Sequence, residues 1–111
     1  MYPKDLLKGT LQPIILKLLE DNGRMYGYEI TQKVKDLTSG KINITEGALY
    51  PTLHKLEADG VVKTEEEFIG KRVRKYYSLT HEGTSVARQR VVEVSDFFGT
   101  ISSLLNIKPT T

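Results

Sequence analysis

Two extended runs separated by the pair Gly70-Lys71 constrain this chain more than any other feature. Val61 to Ile69 and Arg72 to Leu79 are rich in β-branched and aromatic residues, and a two-residue loop beginning with glycine is what a tight β-hairpin requires. Folding one run back on the other about that loop sets Phe68 opposite Val73, Glu67 opposite Arg74, Glu66 opposite Lys75 and Val62 opposite Leu79. Apolar residues meet apolar ones and acids meet bases, so the register supports itself.

The rest of the sequence is helical in pattern. Leu11, Ile14, Ile15, Leu18 and Leu19 make one apolar face, with Thr10 as its cap, Pro13 in the first turn and Asp21-Asn22-Gly23 as its end. Gly9 separates it from a short turn at Lys4–Lys8. A second helix is expected from Gly27 to Leu37, with Ile30, Val34 and Leu37 inward, closed by Thr38-Ser39-Gly40. A third begins near Thr45 and carries Leu49, Leu53 and Leu56, then stops at Ala58-Asp59-Gly60. Pro51 lies beyond its first turn, where a kink or a tightened start is expected. After the hairpin, Thr80 opens a last helix. Its stripe Ala87, Val91, Val94, Phe98, Ile101, Leu105 is spaced alternately four and three residues apart, a heptad pattern widened by Val86, Phe97 and Leu104.

With 111 residues there is room for one core and not two. The organisation expected is one unit over 1–79 that holds the first helices and the hairpin, a closing helix over 80–106 and a tail over 107–111. The chain has no cysteine, which excludes disulfides and thiolate chemistry. Met1 to Asp5 has no basic segment followed by an apolar stretch, so no signal peptide is expected. No apolar run approaches membrane-spanning length. The expectation is a soluble, cytoplasmic protein with no membrane partner. The only histidines are His54 and His81, and neither a carboxylate pair nor a phosphate-binding glycine loop nor metal-ligand spacing occurs. No enzyme, metal or cofactor is therefore expected.

Three helices, a hairpin and a closing helix are the element order of a winged helix-turn-helix, mainly α with a small β-hairpin. There the third helix enters the major groove of double-stranded DNA and the hairpin meets the flanking backbone. The net charge of +2 is uninformative, but Lys71, Arg72, Arg74 and Lys75 cluster at the hairpin's tip, where a duplex would offer phosphates. Lys71 and Arg72 are unpaired at the turn. Arg74 and Lys75 face Glu67 and Glu66, so a solvated cross-strand pair competes with phosphate contact. On the third helix, Tyr50 and His54 are expected on the face opposite its leucines, with Lys55 the helix's one cation. Bidentate guanine readout is then not its main device. Specificity is assigned to Thr45, Tyr50 and Thr52 together with DNA shape, and affinity to the wing. His54 reads equally well as ordinary surface. Tyr26 either packs or offers its hydroxyl to a phosphate, and Tyr28 packs. The heptad stripe covers the first helix on one side and offers a self-complementary seam on the other. A winged-helix module binding an acidic protein partner is the alternative.

Met25-Tyr26-Gly27-Tyr28-Glu29-Ile30, the run Gly47-Ala48-Leu49-Tyr50-Pro51-Thr52-Leu53-His54-Lys55-Leu56-Glu57-Ala58-Asp59-Gly60, and Gly70 through Thr80 together resemble the PadR family of bacterial repressors, over roughly residues 6 to 83. The last helix resembles that of the family's compact members. The resemblance implies a homodimer that binds an inverted-repeat operator and is released by a small effector. It also makes Phe97 and Phe98 candidates to line an effector cavity for a small aromatic molecule, with plain dimer packing as the other reading. Ala48 stands where a threonine is usual in that family, and Val73 where proline is frequent.

Overall fold

The structure, a computed structural model, describes residues 2–106; the tail expected at 107–111 lies outside the described residues. The hairpin forms in the expected register, β2 (Val62–Ile69) against β3 (Arg72–Leu79), with Val62 opposite Leu79 and Phe68 opposite Val73. Gly70 turns the chain at a φ of 64°, a conformation that a β-carbon opposes and that primed hairpin turns need. A third strand was not legible in the sequence. β1 (Met25–Tyr26) pairs antiparallel with β3, Met25 opposite Tyr77 and Tyr26 opposite Tyr76, so β3 is the middle strand. Two residues are too few to show the period-two alternation that marks a strand.

The helices are α1 (Lys4–Lys8), α2 (Leu11–Asn22), α3 (Gly27–Leu37), α4 (Glu46–Ala58) and α5 (His81–Leu104). The turn expected at Lys4–Lys8 is thus a short helix. α2 is the centre of the core. It packs against α5, α4 and β3, and it buries Leu11, Pro13, Ile15, Leu16, Leu18 and Leu19, a wider band than one stripe. A helix covered from two sides needs such a band. α3 contributes Ile30 and Val34, and α4 contributes Leu49, Leu53 and Leu56, all three fully buried. Leu37, expected inward, is 67% exposed. It is the last residue of α3, and the chain turns away at once through Ser39 and Gly40, both at positive φ.

Local chemistry fixes both ends of α4. The Thr45 hydroxyl accepts from the Ala48 N–H, and the Thr45 carbonyl accepts from both Ala48 and Leu49, which tightens the first turn. Pro51 stays inside the helix. Its missing N–H costs the bond that Gly47 would otherwise accept, and the helix continues because Leu49, Leu53 and Leu56 are anchored in the core.

The start of α5 is tied to the end of α4. Thr80 donates its N–H to the Val61 carbonyl at 3.0 Å and its hydroxyl to the Gly60 carbonyl at 2.7 Å, while the same hydroxyl accepts from the Gly83 N–H. Gly83 is buried against this knot, and a β-carbon there would lie 1.9 Å from the Val61 carbonyl oxygen. Gly83→Ala is therefore expected to cost about 2–4 kcal/mol, since backbone has to move to admit it. Gly47→Ala meets only the Thr45 hydroxyl, at 3.9 Å, and is expected to leave stability within about half a kcal/mol of the parent. Urea titration of the two variants checks both; equal midpoints would contradict the packing described.

Candidate nucleic-acid interface

α3 and α4 form the helix-turn-helix, joined through a loop held by Thr38, whose hydroxyl accepts from the Ile42 N–H and donates to the Val34 carbonyl. The outward stripe of α4 is Gly47, Ala48, Pro51, His54, Lys55 and Ala58, all exposed. Gly47, Ala48, Pro51 and Ala58 keep four of its six positions low in profile, and His54 and Lys55 stand out from it. Small residues at helical spacing are the signal for this stripe in the sequence, where the larger polar side chains beside them draw the eye first.

Tyr50 is not on this stripe. It is half-buried against the core, and its hydroxyl sits over Gly27, where a β-carbon would lie 2.4 Å away. The expectation that Tyr50 stands opposite the leucines is corrected, because glycine at the start of α3 leaves a notch that the ring tip fills. His54 is exposed, with its ring 6.4 Å from that of Tyr50. Lys55 is exposed and pairs with Asp59 at 3.6 Å. The Thr45 hydroxyl is engaged as the cap, and Thr52 donates its own to the Ala48 carbonyl, leaving only acceptor capacity toward a ligand.

The outer face of the sheet carries a stack that the sequence did not announce. Arg24 lies over the Tyr76 ring at 4.1 Å, Tyr76 meets Tyr26 edge-on at 5.6 Å, and Arg74 covers the other side of Tyr26 at 4.1 Å. Arg24 also reaches Glu65 at 3.2 Å and Glu67 at 2.5 Å. Although partial desolvation pulls its pKa down, hydrogen bonds to these two carboxylates outweigh it and hold the guanidinium above its ordinary value. Hydrogen bonding to Tyr76 likewise raises Arg74. Burial pushes the Tyr77 hydroxyl up, so it stays protonated. The pairing expected between Glu67 and Arg74 is thus replaced, although the register is right. Glu67 turns to Arg24, and Arg74 to an aromatic face. Tyr26 packs, as one of its two readings had it, whereas Tyr28 is exposed rather than packed. Lys75 is half-buried and lies 5.7 Å above the Tyr77 ring. Lys71 and Arg72 are exposed at the tip and make no ion pair among the described residues.

α5 divides into two halves. Ala87, placed in the dimer seam by its spacing, is 1% exposed and belongs to the chain's own core, because α2 packs directly on it. Val91, Val94 and Ile101 are half-buried, whereas Phe98 and Leu105 are exposed along with Val92, Phe97 and Leu104. Val91, Val94 and Phe98 form one wall of an apolar groove of about 520 Å³ whose other walls are Ile14 and Leu18 of α2 and Leu37 at the end of α3. Phe97 is not among its lining residues. No helix among the described residues is long and apolar enough to cross a membrane.

A helix-turn-helix followed by a protruding two-stranded wing, with a short strand before it completing a three-stranded sheet, defines a winged helix-turn-helix protein. The chain belongs to the transcriptional regulator PadR-like family, whose pattern it matches over residues 15–89. It is 38% identical over 80 residues to Transcriptional regulator Rv3488 of Mycobacterium tuberculosis, covering 72% of this chain and 71% of that protein. Among solved structures it resembles a transcriptional regulator from Clostridium thermocellum, with a TM-score of 0.77 and 29% identity over 92% of this chain and 95% of the other. It also resembles Bacillus subtilis PadR in complex with operator DNA, with a TM-score of 0.65 and 28% identity over 72% of this chain and 46% of that one.

The contact between Tyr50 and Gly27 makes a stability test. Gly27→Ala is expected to cost about 1–3 kcal/mol, because the tyrosine ring has to swing out of the notch. Tyr50→Phe removes the hydroxyl nearest the clash, so the double variant should recover about 1 kcal/mol relative to additivity. Strict additivity of the two changes in a denaturation cycle would show that the notch and the ring are not in contact.

Proposed function

We propose that this PadR-family regulator binds an inverted-repeat operator as a homodimer, with α4 in the major groove of each half-site and the wing on the flanking backbone. The observation that carries this reading is the pair Lys71 and Arg72, exposed at the wing tip with no ion pair among the described residues. Cations so placed release counterions when they meet phosphates. The operator complex of Bacillus subtilis PadR, a relative in fold and sequence, supports the same reading. Base contact falls to His54, Lys55 and the low stripe around Ala48 and Pro51. Thr45, Tyr50 and Thr52 hold the helix in shape and position. Arg74 and Lys75 act first within the wing and only second toward DNA. A family resemblance to repressors supports repression as the outcome.

The second half of α5 supplies the dimer seam. Phe97, Phe98, Leu104 and Leu105 leave a large apolar surface uncovered, and a two-fold partner is the arrangement that covers it and sets half-site spacing. A small aromatic effector lodging beside Phe98 in the α2–α5 groove would displace the partner helix and change the separation of the two wings without touching DNA. The groove's apolar lining suits such a molecule.

Two experiments test these parts. With about eight phosphate contacts per dimer, log K against log salt has a slope near −7, and Lys71→Ala with Arg72→Ala should roughly halve it, weakening operator and random duplex alike. An unchanged slope would remove the wing from the mechanism. Val94→Asp with Ile101→Asp sets like charges in an apolar seam and should yield a monomer by sedimentation that no longer binds a palindrome where the parent does. A monomeric parent that binds the palindrome tightly would overturn the dimer and the effector route together.

A further inference from the structure

The tip of the wing is apolar as well as basic. Phe68 is 77% exposed and Val73, directly opposite it, is 51% exposed. Side chains alternate across a strand, so Phe68 shares a face with Val62, Thr64 and Glu66, and Val73 shares it with Tyr77 and Lys75. This is the inner face of the wing. At its base Val62 and Tyr77 enter the core, and the Thr64 hydroxyl donates to Glu57 of α4 at 3.1 Å. A ligand held against α4 and the wing at once therefore meets the Phe68–Val73 pair. An exposed phenylalanine at a hairpin tip forgoes the stabilisation of burial and invites association, so a chain that keeps one there implies a surface to cover it.

Resting on the DNA-binding reading above, we infer that Phe68, backed by Val73, is an apolar wedge that seats in the minor groove beside the major groove occupied by α4. The charge around it selects this occupant. Lys71 and Arg72 flank the pair on the turn, the carboxylates of Glu65 and Glu67 are held on the outer face by Arg24, and Glu66 on the inner face stands directly opposite Lys75. An approaching backbone thus meets cations and an apolar ring, with Glu66, exposed and in no ion pair among the described residues, the one carboxylate that β2 and β3 leave on this inner face. Groove width completes the case: a minor groove about 6 Å wide excludes a two-stranded ribbon but admits single side chains from its tip, and apolar side chains used in this way pack between or against base steps.

The protein contains no tryptophan, so Phe68→Trp provides a single indole at the wedge. The probe is a duplex recovered from a random library by selection on the full-length protein. At saturation the indole emission should fall by about half or more and become protected from acrylamide, as stacking or sugar contact requires. Exchanging flanking A·T pairs for inosine–cytosine, which alters major-groove edges and keeps the minor-groove ones, should leave that protection intact, while G·C, which adds an amino group in the minor groove, should reduce it. Phe68→Ala should weaken binding about tenfold at every salt concentration with the slope against salt unchanged, because the side chain carries no charge. Full quencher access in the saturated complex would overturn the wedge while leaving the DNA-binding reading in place. An emission change driven by protein concentration alone would assign the surface to a second copy of the chain and overturn it too. Failure of selection to recover any duplex would sink both readings.

Discussion

Strand β3 lies between two others and is engaged on both faces, and the rest of the architecture depends on that double engagement. On its inner face Tyr77 is buried beside Val62 against the helices. On its outer face Tyr76 is clasped by Arg24 and Tyr26, and Arg74 closes the stack. A two-stranded ribbon alone is marginal in water, and this one extends well past the core. Anchoring the middle strand from both sides converts the hairpin from a floppy loop into a rigid arm. The same strand links the parts that have to act together, because its one end carries the wing-tip cations and the other feeds Thr80, which caps α5 and ties it to the end of α4.

The apolar surface of α5 divides between residues inside the core of this chain and residues left exposed. Ala87 and the α2 leucines complete the core of a single chain. Beyond Val91 the cover over α5 is only partial, with Val94 and Ile101 half-buried, and exposed phenylalanines and leucines accumulate there. Apolar area left in water on that scale is unfavourable by several kcal/mol, which a partner of matching surface would recover. A groove at the junction of the two halves, walled by Val91, Val94 and Phe98, lies where a small molecule would compete with such a partner. In the proposed reading, folding, assembly and ligand response would draw on successive turns of one helix.

The parts legible in the sequence are those governed by neighbours along the chain. The hairpin register followed from a two-residue loop with glycine at its start. The cap at Thr45, the start of α5 at Thr80 and the leucines of α4 followed from local residue type and periodicity. What was not legible depends on groups distant in sequence. Arg24 meets Glu67 across 43 positions, and no local pattern announces that a cation will leave Arg74 free to stack on Tyr26. Tyr50 turned inward because Gly27, on another helix, has no side chain to exclude it. Leu37 and Ala87 fit their stripes perfectly well and still fell on the opposite side of the boundary from the one expected, since a stripe gives a direction and says nothing about how far the neighbouring element extends.

In the proposed complex, α4 and the wing present themselves to DNA as one rigid unit, repeated by two-fold symmetry. Hydroxyl-radical footprinting of the full-length protein on a selected palindromic duplex addresses it directly, because the reagent reports protection of individual sugars along the minor groove. Two symmetric footprints centred about one helical turn apart are expected, each with a protected minor-groove segment flanking the major groove that α4 enters. One continuous footprint without dyad symmetry, or two footprints lacking flanking minor-groove protection, would contradict the proposed arrangement.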